Sequence, residues 1–181
     1  MTSSLEQMLQ SLEALEITHV VGIPDNTSGP LFDGLADAAG SRPRLVTVSR
    51  EGEGIALASG LWLGGARPLM VLQSTGLLES GDALRGTAVR MGAALPLLVT
   101  GRGYAKLERA GLDPGEPLTP GLLTRPDVDS AALLAERTLS AWGIPYRRVA
   151  GPAAGGALPE VVAQARAESR PVALLVTSGL T

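Results

Sequence analysis

The sequence predicts an α/β protein: a doubly wound, three-layer α/β/α domain built on a six-stranded, mainly parallel sheet. Helical and strand-like patterns alternate along the chain from end to end. The strand-like segments, such as residues 95–101, are continuous apolar runs, which is typical of parallel strands because helices cover both of their faces. The length of 181 residues allows one sizeable core, so residues 1–181 are expected to form a single domain.

The first half of the chain supplies three helix–strand pairs. Residues 5–16 place leucine and methionine at the spacing of one helical face, and residues 18–23 are a β-branched run that Pro24 stops. A second helical pattern ends near Gly40, where glycine is a common stop signal. The other elements predicted here are helix 29–39, strand 44–49, helix 51–65 and strand 67–74.

The second half continues the alternation but contains one long segment without a clear period. Residues 102–127 are rich in glycine and proline, and connections of this length are usually functional or disordered. The sequence leaves the role of this segment open. The elements predicted around it are helix 80–93, strand 95–101, helix 128–142, strand 145–150, helix 158–169 and strand 171–178.

The composition excludes several kinds of partner and site. A net charge of −3 gives no reason to expect nucleic acid or an anionic membrane as a partner. The sequence has no cysteine and a single histidine, His19, which lies in a predicted buried strand and is expected to be structural. No apolar run reaches the roughly 18 residues of a membrane span. The acidic, amphipathic amino-terminal segment is unlike a signal peptide, so a cytoplasmic protein is expected.

Common cofactor and metal motifs are missing from the sequence. The dinucleotide fingerprint fails at residues 101–106, where Lys106 occupies the place of the third glycine. A phosphate-binding loop, a G-x-S-x-G motif and a metal-ligand spacing are also absent, so no metal ligands are predicted in this chain. Ligands of parallel sheets gather at the carboxyl ends of the strands. The candidate site is therefore formed by the loops at residues 24–28, 49–53, 73–79 and 101–126.

Two carboxylates, Glu51 and Glu53, mark the point where a predicted strand gives way to a predicted helix. Residues two apart do not share a helix face, so only one of them can point at a given site. An acid in the first turn can simply complement the helix dipole, a contribution of roughly 0.3–1 kcal/mol. The other interpretation is catalysis by one of the two.

Three of these loops, in this order and spacing, resemble the pyrimidine-binding domain of thiamine-diphosphate-dependent enzymes. The closest likeness is to the sulfopyruvate decarboxylase alpha subunit and the matching part of phosphonopyruvate decarboxylase. Residues 22–26 match a loop that reads roughly G-[IV]-P-D-S, and residues 51–60 match a glutamate followed by a helix of small residues. Residues 72–79 match a loop near M-Q-N-S-G-L-G-N. The likeness covers about residues 1–104 and ends with an Arg-Gly pair at residues 102–103.

The resemblance implies thiamine diphosphate as the cofactor and Glu51 as the catalytic group that hydrogen-bonds to its aminopyrimidine ring. For this role the carboxyl group must exchange a proton near neutral pH, which we expect once the cofactor ring covers it. Glu53 is left to the helix start or to a partner chain. The other residues implied to bind the cofactor are Pro24, Gln73, Ser74 and Thr75, although the last three could instead cap the helix predicted at residue 80.

The resemblance also implies substrate contacts. Asp25 and Asn26 are expected beside the substrate carboxylate as catalytic residues, although an aspartate after proline is also a common turn residue. Arg102 is expected to bind an anionic substrate tail, since a guanidinium binds a sulfonate or phosphonate through two hydrogen bonds; the alternative is a solvated loop arginine. Asn26, Leu78 and Glu79 depart from the family pattern, which puts the substrate in question.

The family's other half holds the diphosphate through Mg²⁺ and a G-D-G…N motif, and this sequence contains no such motif. The resemblance therefore implies a beta subunit that carries the diphosphate and Mg²⁺ site, together with self-association of the chain. The implied activity is that of the alpha subunit of a 2-oxo acid decarboxylase that acts on a small anionic substrate and is active only with its partner. A carboligase or transferase with the same cofactor and a non-catalytic regulatory subunit are the alternatives.

Overall fold

A computed structural model describes residues 3–37 and 43–179 and confirms the predicted α/β architecture. Six strands form one sheet in the order β2-β1-β3-β4-β6-β5, and every neighbouring pair in it is parallel. Helices cover both faces of this sheet, as predicted. The strands are β1 His19–Gly22, β2 Arg44–Thr47, β3 Pro68–Gln73, β4 Pro96–Thr100, β5 Tyr146–Val149 and β6 Val172–Val176.

The helices of the described residues agree with most of the predicted ones. They are α1 Ser4–Ala14, α2 Gly29–Asp37, α3 Glu51–Leu63, α4 Ser74–Glu79, α5 Gly81–Ala83, α6 Tyr104–Arg109, α7 Pro120–Leu123, α8 Ser130–Ala141 and α9 Ala154–Glu168. A π-helical segment, Leu84–Val89, continues α5. The end of the helix predicted at 29–39 lies outside the described residues. Among the described helices, none is long and apolar enough to cross a bilayer.

Two expectations need correction. The segment 102–127 contains two short helices, α6 and α7, and α6 is held to the core by the buried side chains of Tyr104 and Leu107. Helix α9 begins four residues earlier than predicted, because Gly155 packs directly on α1. A Cβ atom at Gly155 would lie 2.9 Å from the backbone of Gln7, so glycine is what allows this contact.

The sheet separates two apolar layers. Successive side chains of a strand point to opposite faces, and β3 illustrates this. Leu69 and Val71 pack with helices α1, α2 and α9, whereas Met70 and Leu72 pack with α3, α4 and α8. A strand buried on both faces is apolar throughout, which is why its continuous apolar run predicted β3 correctly.

The chain changes direction between β1 and β3, which are neighbours in the sheet. Strand β1 leads to α2 on one face, and β3 leads to α4 on the other. Such a switch point opens a crevice at the carboxyl ends of the two strands. The two strands approach closely there, as the position of Gly22 shows. A Cβ atom at Gly22 would lie 2.0 Å from the carbonyl oxygen of Val71. All the predicted site loops lie at this edge of the sheet.

Candidate active site

Glu51 is the first residue of α3 and is half-buried against α4. Its side chain lies on Gly76, where an added Cβ atom would come within 2.3–2.5 Å of the Oε1, Cγ and Cδ atoms of Glu51. No side chain larger than hydrogen fits between them, so Gly76 is what allows the carboxylate to lie against α4.

The Glu51 carboxylate has no hydrogen bond and no ion pair within residues 3–37 and 43–179. The adjacent Arg50 attracts it without forming a bond. Glu53 differs, because its Oε2 accepts hydrogen bonds from the Ser49 amide at 3.2 Å and the Ser49 hydroxyl at 3.1 Å. Of the two carboxylates, Glu53 is used to begin the helix, and Glu51 keeps its acceptors free.

Glu79, at the end of α4, is a second carboxylate beside the start of α3. Its Oε2 accepts a hydrogen bond from the Gly52 amide at 3.0 Å, and its Oε1 accepts from Arg50 Nε at 3.1 Å and Nη2 at 2.5 Å. The hydrogen bond from Arg50, followed by that from the Gly52 amide, lowers the pKa of Glu79 below its ordinary value. The sequence indicated Glu79 only as a departure from the family pattern, since a contact across 27 residues leaves no local signal.

The Asp25 side chain holds the loop after β1 through hydrogen bonds. Its Oδ1 accepts hydrogen bonds from the amides of Thr27 at 2.6 Å and Ser28 at 3.0 Å, and its Oδ2 accepts one from the hydroxyl of Thr100 at the end of β4. Both carboxylate oxygens are therefore engaged inside the protein, as in the turn interpretation. Its neighbours Pro24 and Asn26 are exposed at the same edge. The predicted catalytic role of Asp25 and Asn26 stays a prediction.

The residues after β3 and β4 meet at the rim of the crevice. Gln73 Oε1 accepts hydrogen bonds from the Thr75 hydroxyl at 2.8 Å and from Arg102 Nη1 at 3.4 Å. The buried Ser74 donates its hydroxyl hydrogen to the Arg102 carbonyl at 3.3 Å. Gln73 and Ser80 both precede short helices without a side-chain capping bond, so the capping alternative is not what the structure shows.

Arg102 is 58% exposed and is anchored from the far side by Asp129. Its Nε donates to Asp129 Oδ2 at 3.1 Å, while Asp129 Oδ1 caps α8 by accepting from the Ala131 amide. Gly103 adopts a left-handed conformation with φ of 89°, and a Cβ atom there would lie 2.6 Å from that of Asp129. The segment that begins at Arg102 is thus fixed to α8, with part of the guanidinium left at the rim.

Two cavities, of about 550 and 500 Å³, lie away from Glu51, and both border Arg148 of β5. Among the described residues no group of three or more histidine, aspartate or glutamate side chains is placed to hold a metal ion.

Comparison with known proteins places the chain in a family. Residues 3–114 match the family model described as thiamine pyrophosphate enzyme, N-terminal TPP binding domain. The phosphonopyruvate decarboxylase of Streptomyces hygroscopicus is 35% identical over 97 residues, which are 53% of this chain and 23% of that protein. The sulfopyruvate decarboxylase of Methanosarcina acetivorans is 36% identical over 61 residues, which are 34% of this chain and 16% of that protein. The matched region thus spans less than a quarter of either relative.

Solved structures show the same fold at lower identity. Benzoylformate decarboxylase from Polynucleobacter necessarius superimposes with a TM-score of 0.67 and 20% identity over 98% of this chain and 30% of that one. The thiamine diphosphate-dependent 4-hydroxybenzoylformate decarboxylase of Rhodococcus jostii RHA1 gives a TM-score of 0.62 and 18% identity over 97% of this chain and 30% of that one. The family match confirms the resemblance seen in the sequence, and the chain belongs to the N-terminal TPP-binding domain family of thiamine pyrophosphate enzymes.

Proposed function

We propose that this chain is the alpha subunit of a thiamine-diphosphate-dependent decarboxylase that acts on a small anionic 2-oxo acid. Its family and its similarity to sulfopyruvate and phosphonopyruvate decarboxylases support the class of reaction. The observation that carries the proposal is the Glu51 carboxylate. It is half-buried at a strand's carboxyl edge, lies on Gly76, and has no hydrogen-bond partner in the described residues.

The residues present fit the pyrimidine half of the cofactor. A ring nitrogen of that half needs a carboxyl partner, and Glu51 has both oxygens available beside a surface that glycine keeps open. The side chains of Gln73 and Thr75 and the exposed Pro24 lie at the same edge of the sheet. Thiamine diphosphate supplies, when bound, the stabilisation of negative charge that decarboxylation of a 2-oxo acid requires.

Glu51 would hydrogen-bond to the ring and hold or release one proton there, the work of a general acid–base group. Arg102, with its exposed guanidinium fixed by Asp129 and Gln73, would bind the anionic end of the substrate. Asn26 would lie beside the substrate carboxylate, and Asp25 would hold the loop that carries it.

We further propose that a separate beta subunit supplies the diphosphate and Mg²⁺ site and covers Glu51. Two observations support this. The described residues contain no metal-binding cluster. The outer face of α3 is uncharged beyond its first turn, with Ala56, Leu57, Gly60 and Leu63 exposed. Leu57 and Leu63 are both exposed on this face, and an exposed apolar patch is typical of an interaction site. The same face could serve the predicted self-association.

The experiment is a reconstitution. The chain is mixed with a candidate beta subunit that carries a G-D-G…N motif, thiamine diphosphate, Mg²⁺ and a panel of 2-oxo acids, and CO2 and aldehyde are measured. We expect turnover only in the complete mixture, and for a substrate with a second anionic group. Glu51→Gln should abolish it, whereas Glu53→Gln, which alters the same helix turn, should retain it.

Full activity of the Glu51→Gln complex would overturn the assignment of Glu51. If CO2 is released and the second product has a longer carbon skeleton than the aldehyde, the complex is a carboligase. A complex that binds all components and never turns over would favour a regulatory subunit.

A further inference from the structure

We infer that Glu79 is a positioning residue for Glu51, acting through the amino end of α3 and through Arg50; this rests on the proposed function of Glu51. Glu79 is the last residue of α4. It is bonded to the residues on either side of Glu51, the Gly52 amide and the Arg50 guanidinium.

The first part of the argument concerns the start of α3. The first amides of a helix have no acceptor within the helix, and a side chain before the first turn normally caps them. Here the capping position is Arg50, whose side chain has no acceptor and makes no capping bond. Glu79 supplies the missing acceptor from α4, so the position of the first turn of α3 depends on α4.

The second part concerns the spacing of the two helices. Gly76 and Glu79 are three residues apart and lie on one face of α4. Gly76 provides the space in which the Glu51 side chain lies, and Glu79 bonds to the next residue, Gly52. The same face of α4 therefore both admits the Glu51 side chain and fixes the backbone that carries it.

The third part concerns Arg50, a cation directly beside Glu51 in the sequence. Arg50 is attracted to Glu51, yet its Nε and Nη2 both donate to Glu79. Glu79 thereby holds the guanidinium away from the catalytic carboxylate. Without Glu79, we expect Arg50 to pair with Glu51 and occupy the oxygens that a ligand needs.

The kinetic test uses the reconstituted complex. Glu79→Ala should lower kcat by about 10- to 100-fold, as displacement of a catalytic group does, with a smaller change in the KM for substrate. Glu79→Gln keeps an acceptor for Gly52 and should recover part of the loss. Glu79→Ala combined with Arg50→Ala removes the competing cation and should be more active than Glu79→Ala alone. The matched control is Glu53→Ala, which removes a carboxylate from the same helix start and should leave kcat unchanged.

A second readout needs neither cofactor nor activity. In the free chain, the Gly52 amide should lose protection from hydrogen exchange in Glu79→Ala and keep it in Glu53→Ala, because Glu79 is its acceptor. Unchanged Gly52 protection, or a kcat that falls equally in Glu79→Ala and Glu53→Ala, would overturn the inference.

The outcomes separate this inference from the proposed function. If Glu51→Gln is inactive and Glu79→Ala retains the full kcat, only the positioning role fails. If Glu51→Gln is fully active, the proposed function of Glu51 fails whatever Glu79 does.

Discussion

The loop after β1 and the start of α3 after β2 each place a carboxylate at the same edge of the sheet, and the two are used in opposite ways. Asp25 gives both oxygens to internal donors, two amides of its own loop and the hydroxyl of Thr100. Glu51 gives neither oxygen to any described residue. Residue type and location in the fold do not separate these two carboxylates. What separates them is whether the protein itself uses the acceptors.

The largest effect expected from this difference comes from closing the space around Glu51. Gly76→Ala introduces a Cβ atom within 2.3–2.5 Å of three Glu51 side-chain atoms, so the carboxylate has to move. We expect kcat of the complex to fall by about 100-fold, with little change in the unfolding temperature of the free chain. Gly156→Ala is the control on the exposed side of α9, where an added Cβ meets nothing within 4 Å. Equal activity of both variants would show that the Glu51 position is not critical.

For the stability of the free chain, we expect Asp25 to contribute more than Glu51. Asp25→Ala removes the acceptor of three hydrogen bonds and should lower the free energy of unfolding by about 3 kcal/mol. Glu51→Ala removes a carboxylate with no internal bond and should change it by less than about 0.5 kcal/mol. Chemical denaturation of the two variants measures both values, and similar losses would contradict the distinction between the two carboxylates.

A smaller effect tests the link between β1 and β4. Thr100→Val keeps the shape of the buried side chain and removes the donor to Asp25 Oδ2. We expect a loss of about 1–2 kcal/mol in the free energy of unfolding, because one oxygen is left without its partner. Thr87→Val, on the half-buried π-helical segment, is a control of the same chemical change. A neutral Thr100→Val would mean that the hydrogen bond adds nothing measurable.

The smallest effect is a pH dependence from Glu79. Its pKa is lowered in the folded chain from the ordinary 4.5, chiefly by Arg50. A carboxyl group whose pKa is lower in the folded chain than in the unfolded chain stabilises the fold fully at a pH above its unfolded pKa. This contribution is lost as the pH falls through the folded pKa. The stability difference between the wild type and Glu79→Gln should therefore be constant near neutral pH and shrink below about pH 4.5. A difference that grows in acid would contradict the sign of this shift.

The parts of the fold that the sequence predicted are those with a local signal. Strands β3, β4 and β6 were predicted correctly because each is a buried apolar run. Glu51 begins its helix because a polar strand end precedes a run of small residues. Helix α6 was missed because its buried contacts, Tyr104 and Leu107, face a core assembled from distant segments. The early start of α9 was missed because the glycines at this position weaken the helical signal in the sequence. In the structure, contact with α1 stabilises the helix there.

In the candidate site too, the sequence predicted the features that have a local signal and missed those that depend on distant contacts. The loops were identified by their residues and order, but the partners of the side chains were not. The hydrogen bond between Asp25 and Thr100 joins residues that are 75 positions apart in the sequence, and the one between Gly52 and Glu79 joins residues that are 27 positions apart. Such contacts are set by the topology of the sheet and by the packing of α3 on α4. That packing brings Glu79 to the start of α3.

The most direct test of the central claim is proton exchange at the cofactor. In the complex with a beta subunit and Mg²⁺, exchange of the thiazolium C2 hydrogen of thiamine diphosphate for deuterium can be followed by NMR without any substrate. If Glu51 activates the ring, exchange is fast in the wild type and in Glu53→Gln, and slow in Glu51→Gln although that complex still binds the cofactor. Equally fast exchange in the loaded Glu51→Gln complex would contradict the claim that this carboxylate is left free for catalysis.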